Sequence, residues 1–295
     1  MTRALAAALA LLAAGVASGE GSRAVEVVVL KRAGVTAYEE VSEEFAERCR
    51  VKARVVSFGD EGVQLRAARI DAGDLVVTVG QEAFDAAAHS GARLIPTLAF
   101  HTPAGLVGPP AAPPPELLLR VLATARPTIK IVGAVYGPRS AALAKAAQQA
   151  AERAGLTLIA TQVKDGPQAL RALVKLVPKI DAIWLPGDTD VITPQVFQYA
   201  LREQLERGLP VAAATRQQVH SGALMAVDFA PRAAGRVAAD LANRFLDGRE
   251  AGDVDDVDLY GGARITINAV VARRLGVDGK ALENMGAKIE GASDR

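Results

Sequence analysis

Cysteine, histidine and aromatic residues are scarce in this 295-residue sequence. The single cysteine, Cys49, excludes a disulfide within the chain. The three histidines, His89, His101 and His220, show no zinc-ligand spacing, so no metal site is predicted. Aromatic residues make up 4% and the formal net charge is +1, which argues against a nucleic-acid partner because both a stacking platform and a basic footprint are missing.

Long apolar runs are also missing, except at the beginning of the sequence. A short basic start at residues 1–3 is followed by apolar residues 4–16 and by the small residues Ala17-Ser18-Gly19. This order is typical of a cleaved signal peptide, predicted here over residues 1–19. A buried first helix and a membrane anchor are alternatives, but the run is shorter than the roughly 20 residues of a membrane span. Because Cys49 lies far beyond the cleavage region, we expect a soluble periplasmic protein that is not a lipoprotein.

The rest of the sequence alternates valine-rich segments with helical patterns, which predicts an α/β fold of parallel strands covered on both faces. One helix begins at Thr36, with Glu39 completing a capping box. Predicted strands lie at residues 25–30, 54–58, 74–79, 94–100, 129–136, 157–163, 182–185, 210–214, 223–229 and 264–268. Other predicted helices lie at residues 63–70, 81–89, 115–125, 140–154, 167–177, 194–207, 233–246 and 269–275, before a polar tail.

Six prolines cluster between residues 103 and 115 and divide this pattern into two similar series. Proline fixes φ and removes a backbone donor, so the cluster predicts a stiff first passage between two lobes. Two doubly wound lobes enclose a cleft, and ligands of such sheets bind at the carboxyl ends of the strands. The loops that follow strands are therefore the candidate binding loops.

One of these loops contains two carboxylates, Asp188 and Asp190, in the segment LPGDTDV. The pair allows three interpretations: a metal site of a glycosyltransferase-like enzyme, an acid–base dyad, or a hook for the polar end of a ligand. A metal site would need further oxygen ligands, and no additional carboxylate cluster or histidine pair is evident. No nucleophile motif accompanies the pair either, so the ligand hook is the favoured interpretation.

From Ile129 to Gly276 the sequence resembles the substrate-binding proteins of ABC importers, in the family that includes tryptophan and tyrosine binders. The resemblance lies in IKIVGAVYGPRSAAL, AERAGLTLIATQV, IDAIWLPGDTDV, LPVAAATRQQVHSGALMAVDFAPRAAGRVAADLANRFLDG and ITINAVVARRLGV. In the first half, GDLVVTVGQEAF and ARLIPTLAF match more loosely. His101-Thr102-Pro103 stands where the family usually has aspartate before proline.

The resemblance implies a type I periplasmic-binding-protein fold, in which the chain crosses three times between two lobes joined by a hinge. Lobe one is expected at residues 24–104 plus 224–258, and lobe two at residues 105–223 plus 259–295. It also implies a monomer that closes on a small-molecule ligand, possibly an amino acid, and delivers it to a membrane permease. No enzymatic activity and no cofactor are expected.

The predicted ligand-binding residues all follow strands. In lobe two, Asp188 matches the family's aspartate, and Thr189 and Asp190 follow it. Across the cleft, the opening of a helix would offer backbone N–H groups to an anion. The candidates of lobe one are Gly80, Gln81, Glu82, Arg32, His101 and Thr102; the further candidates of lobe two are Tyr136, Arg139, Thr215 and Arg216. The alternatives to transport binding are a metal-dependent glycosyltransferase that uses Asp188 and Asp190, and a ligand-sensing receptor subunit without transport.

Overall fold

The structure is a computed structural model that describes residues 25–62, 68–103, 105–249, 258–259 and 262–291. The signal peptide predicted over residues 1–19 lies outside the described residues. The strands are β1 (Val27–Arg32), β2 (Arg54–Phe58), β3 (Leu75–Val79), β4 (Arg93–Thr97), β5 (Ile131–Tyr136), β6 (Thr157–Gln162), β7 (Ala182–Trp184), β8 (Val211–Ala213), β9 (Met225–Phe229), β10 (Ala263–Asn268) and β11 (Lys288–Glu290).

The helices lie between these strands, as the alternating pattern predicts. They are α1 (Thr36–Arg48), α2 (Gln81–Ala87), α3 (Pro115–Ala125), α4 (Ala141–Arg153), α5 (Gly166–Leu176), α6 (Pro194–Arg207), α7 (Arg216–His220), α8 (Pro231–Leu246), α9 (Ala269–Leu275) and α10 (Gly279–Glu283). Within the described part of the chain, no helix is both long and apolar enough to cross a membrane.

The first sheet is parallel, with strand order β2-β1-β3-β4. Successive side chains of a strand point to opposite faces, and both faces of β1 are apolar. Val27 and Val29 belong to the apolar cluster that includes residues of α1 and α8, whereas Val28 and Leu30 belong to the cluster that includes residues of α2. The sheet is therefore covered on both sides, and the predicted doubly wound α/β fold is confirmed for this lobe.

The second sheet has seven strands in the order β11-β10-β9-β8-β7-β5-β6. Its pairs are parallel except for β9 and β10, which run antiparallel. Apolar clusters cover both faces: Trp184 and Met225 belong to one, and Ile183 and Val211 to the other. Trp184 packs in the core, since only 5% of the residue is exposed.

The predicted division between the lobes is wrong for the strand at residues 224–229. This strand was expected in lobe one, but Ala212 and Ala213 of β8 pair with Met225 and Ala226 of β9 in the second sheet. The chain crosses only afterwards, at Ala230, into α8, which packs along α1 of lobe one. The strand itself is correctly predicted, but the sheet to which it belongs is decided by its pairing with β8 and β10.

Three local predictions also differ from the structure. Thr36 is the first helical residue of α1 and Val35 is its N-cap without a side-chain hydrogen bond, so the predicted capping box is absent there. The predicted polar tail contains α10 and β11, and β11 extends the second sheet beside β10. Residues 63–67 of the helix predicted at 63–70 lie outside the described residues.

The proline-rich segment lies along the outer edge of β4. The Leu98 backbone N–H donates to the Pro109 carbonyl at 2.8 Å, and the Ala111 N–H donates to the Ala99 carbonyl at 3.2 Å. Gly108 lies so close to the Pro96 carbonyl that an added Cβ would stand 1.9 Å from its oxygen. Pro109 therefore binds this edge through its carbonyl group, which a proline retains although it lacks an N–H.

Candidate functional site

The carboxyl ends of the two sheets face each other and enclose the candidate site. Phe100 follows β4 of lobe one and packs on Gly187, which follows β7 of lobe two; a Cβ on Gly187 would stand 1.8 Å from the Phe100 Cε1. Arg139 of lobe two donates to both oxygens of Asp85 of lobe one, at 2.9 and 3.2 Å. The lobes therefore touch each other at two places in the cleft.

Asp188 is the most buried carboxylate of the cleft, with 1% of the residue exposed. Its Oδ2 accepts hydrogen bonds from the Gly137 backbone N–H at 2.7 Å and from the Ser140 hydroxyl at 2.5 Å. Its Oδ1 is buried and has no hydrogen-bond partner among the described residues. Buried carboxylate oxygens are normally hydrogen-bonded, so an unsatisfied one in a cleft indicates a position for a ligand donor.

The loop after β7 holds Asp188 in this position. The Asp188 carbonyl accepts from the Val191 and Ile192 N–H groups at 3.2 and 2.8 Å, which closes a turn. The Thr193 hydroxyl then caps α6 by accepting from the Val196 N–H, and Pro194 is the first helical residue, a position that suits proline. Strand, turn and cap together fix the backbone of Asp188, and Gly137 and Ser140 fix its side chain.

Asp190 has different surroundings, although only one residue separates it from Asp188. Its side chain is exposed, and its Oδ2 lies 3.7 Å from Nη1 of Arg139. Thr189 is also exposed. The two carboxylates thus have different burial and different partners. Within the described part of the chain, no group of three or more His, Cys, Asp or Glu side chains is arranged to hold a metal ion.

His101 reaches the same cleft from lobe one. Its buried Nε2 has no hydrogen-bond partner among the residues that the structure describes. Burial lowers the pKa of His101, the negative charge of Asp188 opposes this shift, and the positive charge of Arg139 adds to it. The imidazole is therefore neutral at pH 7, with one polar atom available. The next residue, Thr102, is exposed.

Gln81 holds the loop of Phe100 and His101 in place. Its Oε1 accepts from the backbone N–H groups of both residues, at 3.0 and 2.9 Å. Its Nε2 donates to the His101 carbonyl at 3.1 Å and to Asp85 at 2.8 Å. Both polar atoms of the Gln81 side chain are thus used within lobe one, where they position Phe100 and His101.

Gly80 is the N-cap of α2, and its φ of 89° is the left-handed region that favours glycine. The Tyr38 ring packs so closely against Gly80 that an added Cβ would stand 2.4 Å from the Tyr38 hydroxyl oxygen. Burial and the negative charge of Glu82 raise the pKa of Tyr38. The sequence places Tyr38 near the start of α1, directly after a strand-end loop, but its hydrophobic spacing assigns it to a helical face.

Arg32 and Glu82, two predicted ligand residues, bind each other. Arg32 donates through Nη1 to both oxygens of Glu82, at 2.9 and 2.7 Å, and through Nη2 to Asp60. The Arg32 guanidinium thus donates hydrogen bonds to two carboxylates. At the preceding position, the buried Lys31 pairs with Glu39.

Arg139 has a similar arrangement between the lobes. Asp85 and Asp190 lie on two sides of its guanidinium, and Ser140, the next residue, holds Asp188. The structure therefore brings Arg139, Asp188, Asp190 and His101 together, as the loop positions predict. Asp85, Gly137 and Phe100 are site residues that the sequence reasoning missed.

Thr215 and Arg216 are used within lobe two. The Thr215 hydroxyl forms a capping box with Gln218 at the start of α7. The Arg216 Nε donates to Glu290 of β11 at 2.8 Å, and His220 lies 2.7 Å from the same oxygen. Burial opposes ionisation of Glu290, but hydrogen bonds from Arg216, His220 and Lys288 outweigh it and lower the pKa of Glu290 to about 2.

Tyr136 ends β5 and lines a very small apolar cavity. Ser140, Leu143 and Trp184 also line it. Leu143 and Trp184 belong to the apolar core between α4 and the second sheet, so this cavity is a gap in the packing of lobe two and not part of the cleft. Trp184, with 5% of the residue exposed, is not available to a solute.

Comparisons with known proteins agree with this geometry. Residues 116–284, more than half of the chain, match the family model described as ABC transporter substrate binding protein. Comparison with curated protein sequences finds no match. Among solved structures, the chain is similar to the ABC domain in complex with L-Trp from Streptococcus pneumoniae, with a TM-score of 0.65, 20% identity and coverage of 88% of this chain and 97% of that one.

Two further solved structures are similar. One is the ligand-free, open structure of a substrate-binding protein with adhesive properties from Clostridium difficile, with a TM-score of 0.58, 16% identity and coverage of 92% of this chain and 97% of that one. The other is a periplasmic solute-binding protein from Actinobacillus succinogenes with bound D-allose, with a TM-score of 0.51, 14% identity and coverage of 84% and 99%. The fold is that of the type I periplasmic-binding proteins.

Proposed function

Since the chain belongs to the ABC transporter substrate-binding protein family, we propose that it binds a small polar solute in the cleft and delivers it to a membrane permease. The observation that carries this proposal is the buried Asp188 carboxylate, whose Oδ1 has no hydrogen-bond partner among the described residues. The contacts between the lobes support a role for closure, because Phe100 and Arg139 contribute to them from opposite lobes.

Asp188 acts in this proposal as the acceptor for a donor group of the solute. Gly137 and Ser140 fix its Oδ2, so its Oδ1 is pre-positioned and loses little freedom on binding. A hydrogen bond to a charged group is worth about 1.5–3 kcal/mol when it satisfies a buried atom. The neutral His101 offers a second polar atom nearby.

Two solute classes provide a donor for Asp188. The ammonium of an amino acid would do so, and the relative with L-Trp supports that candidate. A sugar hydroxyl would also do so, as the relative with D-allose suggests. We further propose that residues 1–19 direct export to the periplasm and that the mature protein acts as a monomer.

A ligand panel followed by thermal unfolding tests the proposed function. The panel contains the amino acids, primary amines, nucleosides, hexoses and polyols, and hits are confirmed by titration calorimetry. A solute at one hundred times its Kd stabilises the folded state by about 2.7 kcal/mol, which gives a clear shift in Tm. A panel in which no solute shifts Tm would contradict the proposed function.

Asp188→Asn tests the role of the carboxylate. Asparagine retains an oxygen for Gly137 and Ser140 but presents an amide donor in place of Oδ1, so we expect a folded variant that binds the solute about 10- to 150-fold more weakly. Asp190→Asn is the matched control, because this side chain is exposed, and we expect a change of about threefold or less. Equal effects of the two substitutions would refute the assigned role of Asp188.

A further inference from the structure

Negatively charged side chains outnumber positively charged ones at the cleft. The described loops contribute five carboxylates and two guanidiniums to it: Asp60, Glu82, Asp85, Asp188, Asp190, Arg32 and Arg139. His101 adds no positive charge at pH 7, since burial lowers its pKa. A solute that enters the cleft therefore meets an excess of negative charge, which favours a cation.

Both guanidiniums are already occupied by carboxylates. Arg32 binds both oxygens of Glu82 and also contacts Asp60, and Arg139 binds both oxygens of Asp85 and lies near Asp190. These are the groups that would otherwise bind a solute carboxylate in a bidentate manner. A carboxylate-bearing solute would have to displace a protein carboxylate and then lie among the remaining ones.

Two further basic side chains at this edge are paired as well, whereas Lys164, which follows β6, is exposed. Lys31 is buried against Glu39, and Arg216 donates to Glu290. By contrast, the deepest anion of the cleft retains an oxygen without a partner among the described residues, namely Oδ1 of Asp188. The unsatisfied atom of the site is thus a negatively charged hydrogen-bond acceptor.

We infer that the cleft selects an organic cation, a solute with a protonated amine and without a carboxylate. This inference rests on the proposed function and narrows its solute class. The ammonium would donate to Asp188 Oδ1. Primary amines remain protonated at pH 7, because their pKa is about 10.

Matched compounds that differ only in charge test this inference. We would titrate three trios by calorimetry: tryptamine, L-tryptophan and tryptophol; 2-phenylethylamine, L-phenylalanine and 2-phenylethanol; and isoamylamine, L-leucine and isoamyl alcohol. In at least one trio, the amine should bind at least about 10-fold more tightly than the amino acid and the alcohol. Its affinity should also fall as the salt concentration rises, because part of the attraction is screened.

A second measurement uses a variant that releases the Arg139 guanidinium. Asp85→Asn together with Asp190→Asn removes both carboxylates that flank Arg139, and both side chains are exposed, so the fold should be retained. The preference for amine over amino acid should fall at least about 10-fold. The matched control is Glu116→Gln, which removes an exposed carboxylate that pairs with Arg153 at the far end of α4 and should leave the preference unchanged.

The outcomes separate this inference from the proposed function. An amino acid, an alcohol or a hexose that binds as tightly as the best amine or more tightly overturns the cation inference and leaves the proposed function intact. A preference for amines that is unchanged in the double variant also overturns it, since occupation of Arg139 would then have no effect. A panel and trios in which nothing binds contradict both.

Discussion

The contact between the lobes at Phe100 leaves no room for a side chain at Gly187. A methyl group added there would stand 1.8 Å from Cε1, 2.2 Å from Cδ1 and 2.4 Å from Cζ of Phe100. Carbon atoms in contact are separated by about 3.5 Å, so the ring would have to retreat by about 1.7 Å. Phe100 has little freedom to do so, because its backbone N–H is bound by Gln81. Gly187→Ala should therefore hold the lobes apart.

The magnitude follows from the area of this contact. A phenylalanine buries about 150–250 Å² when fully enclosed, and Phe100 is partly buried. Taking about half of that area as the contact with lobe two, about 80–120 Å² is lost when the ring leaves Gly187. At about 25 cal/mol per Å², closure becomes less favourable by about 2–3 kcal/mol. A solute that binds the closed form should then bind about 30- to 150-fold more weakly.

Small-angle scattering and calorimetry measure the two consequences. Gly187→Ala should show a larger radius of gyration than the parent protein and a weaker affinity for the best solute of the panel. Gly73→Ala is the control, because a Cβ there meets no atom within 4 Å. In the double variant Gly187→Ala/Phe100→Ala the clash is removed, so the radius of gyration should return to the parental value. The reasoning is refuted if Gly187→Ala retains the parental radius and affinity.

Three further predictions concern stability. In Gly235→Ala, the added methyl would stand 2.6 Å from the Val41 carbonyl oxygen between α8 and α1, so urea titration should show a loss of about 1–3 kcal/mol, and an unchanged midpoint would contradict this packing. The pKa of Glu290 is lowered to about 2, so its stabilising effect is present above pH 4.5 and is lost as the pH falls through 2. Arg216→Ala should cost about 1–2 kcal/mol at pH 7 and clearly less at pH 2, where half of Glu290 is protonated, and an equal cost at both pH values in denaturant titrations would contradict this pairing. Burial lowers the pKa of His101 below 6.5, so the parent protein should lose Tm as the pH falls below 6.5, and a His101→Gln variant with the same loss would disprove this cause.

The sequence predicted the layers of the fold because they depend on local patterns. Valine-rich segments flanked by helical periodicity identify β1 and β3, and the Thr193-Pro194 signal marks the start of α6. The sheet that contains β9 was predicted wrongly because it is decided by pairing with β8 and β10. Hydrophobic pattern alone gives a strand and its buried faces, but it does not give its neighbours.

The candidate site shows the same limit at the level of single side chains. The position of Asp188 at a strand end was predictable, whereas its partners Gly137 and Ser140 precede it by about fifty residues and emerge only when β5 and β7 pair. The basic and amide side chains were predicted to face a solute, but Gln81 and Arg32 are satisfied by protein groups. The residue type gives the chemistry that a side chain can perform, and the fold decides which group uses it.

The attachment of the proline-rich segment beside β4 leaves a short first connection between the lobes. The segment is bound to lobe one as far as Ala111, and α3 begins at Pro115. Residues 112–114 lie between these two points, and two of them are prolines whose φ is fixed. We therefore expect this connection to allow few torsional changes, so that any opening of the cleft follows a narrow arc and brings Phe100 back to the same place on Gly187.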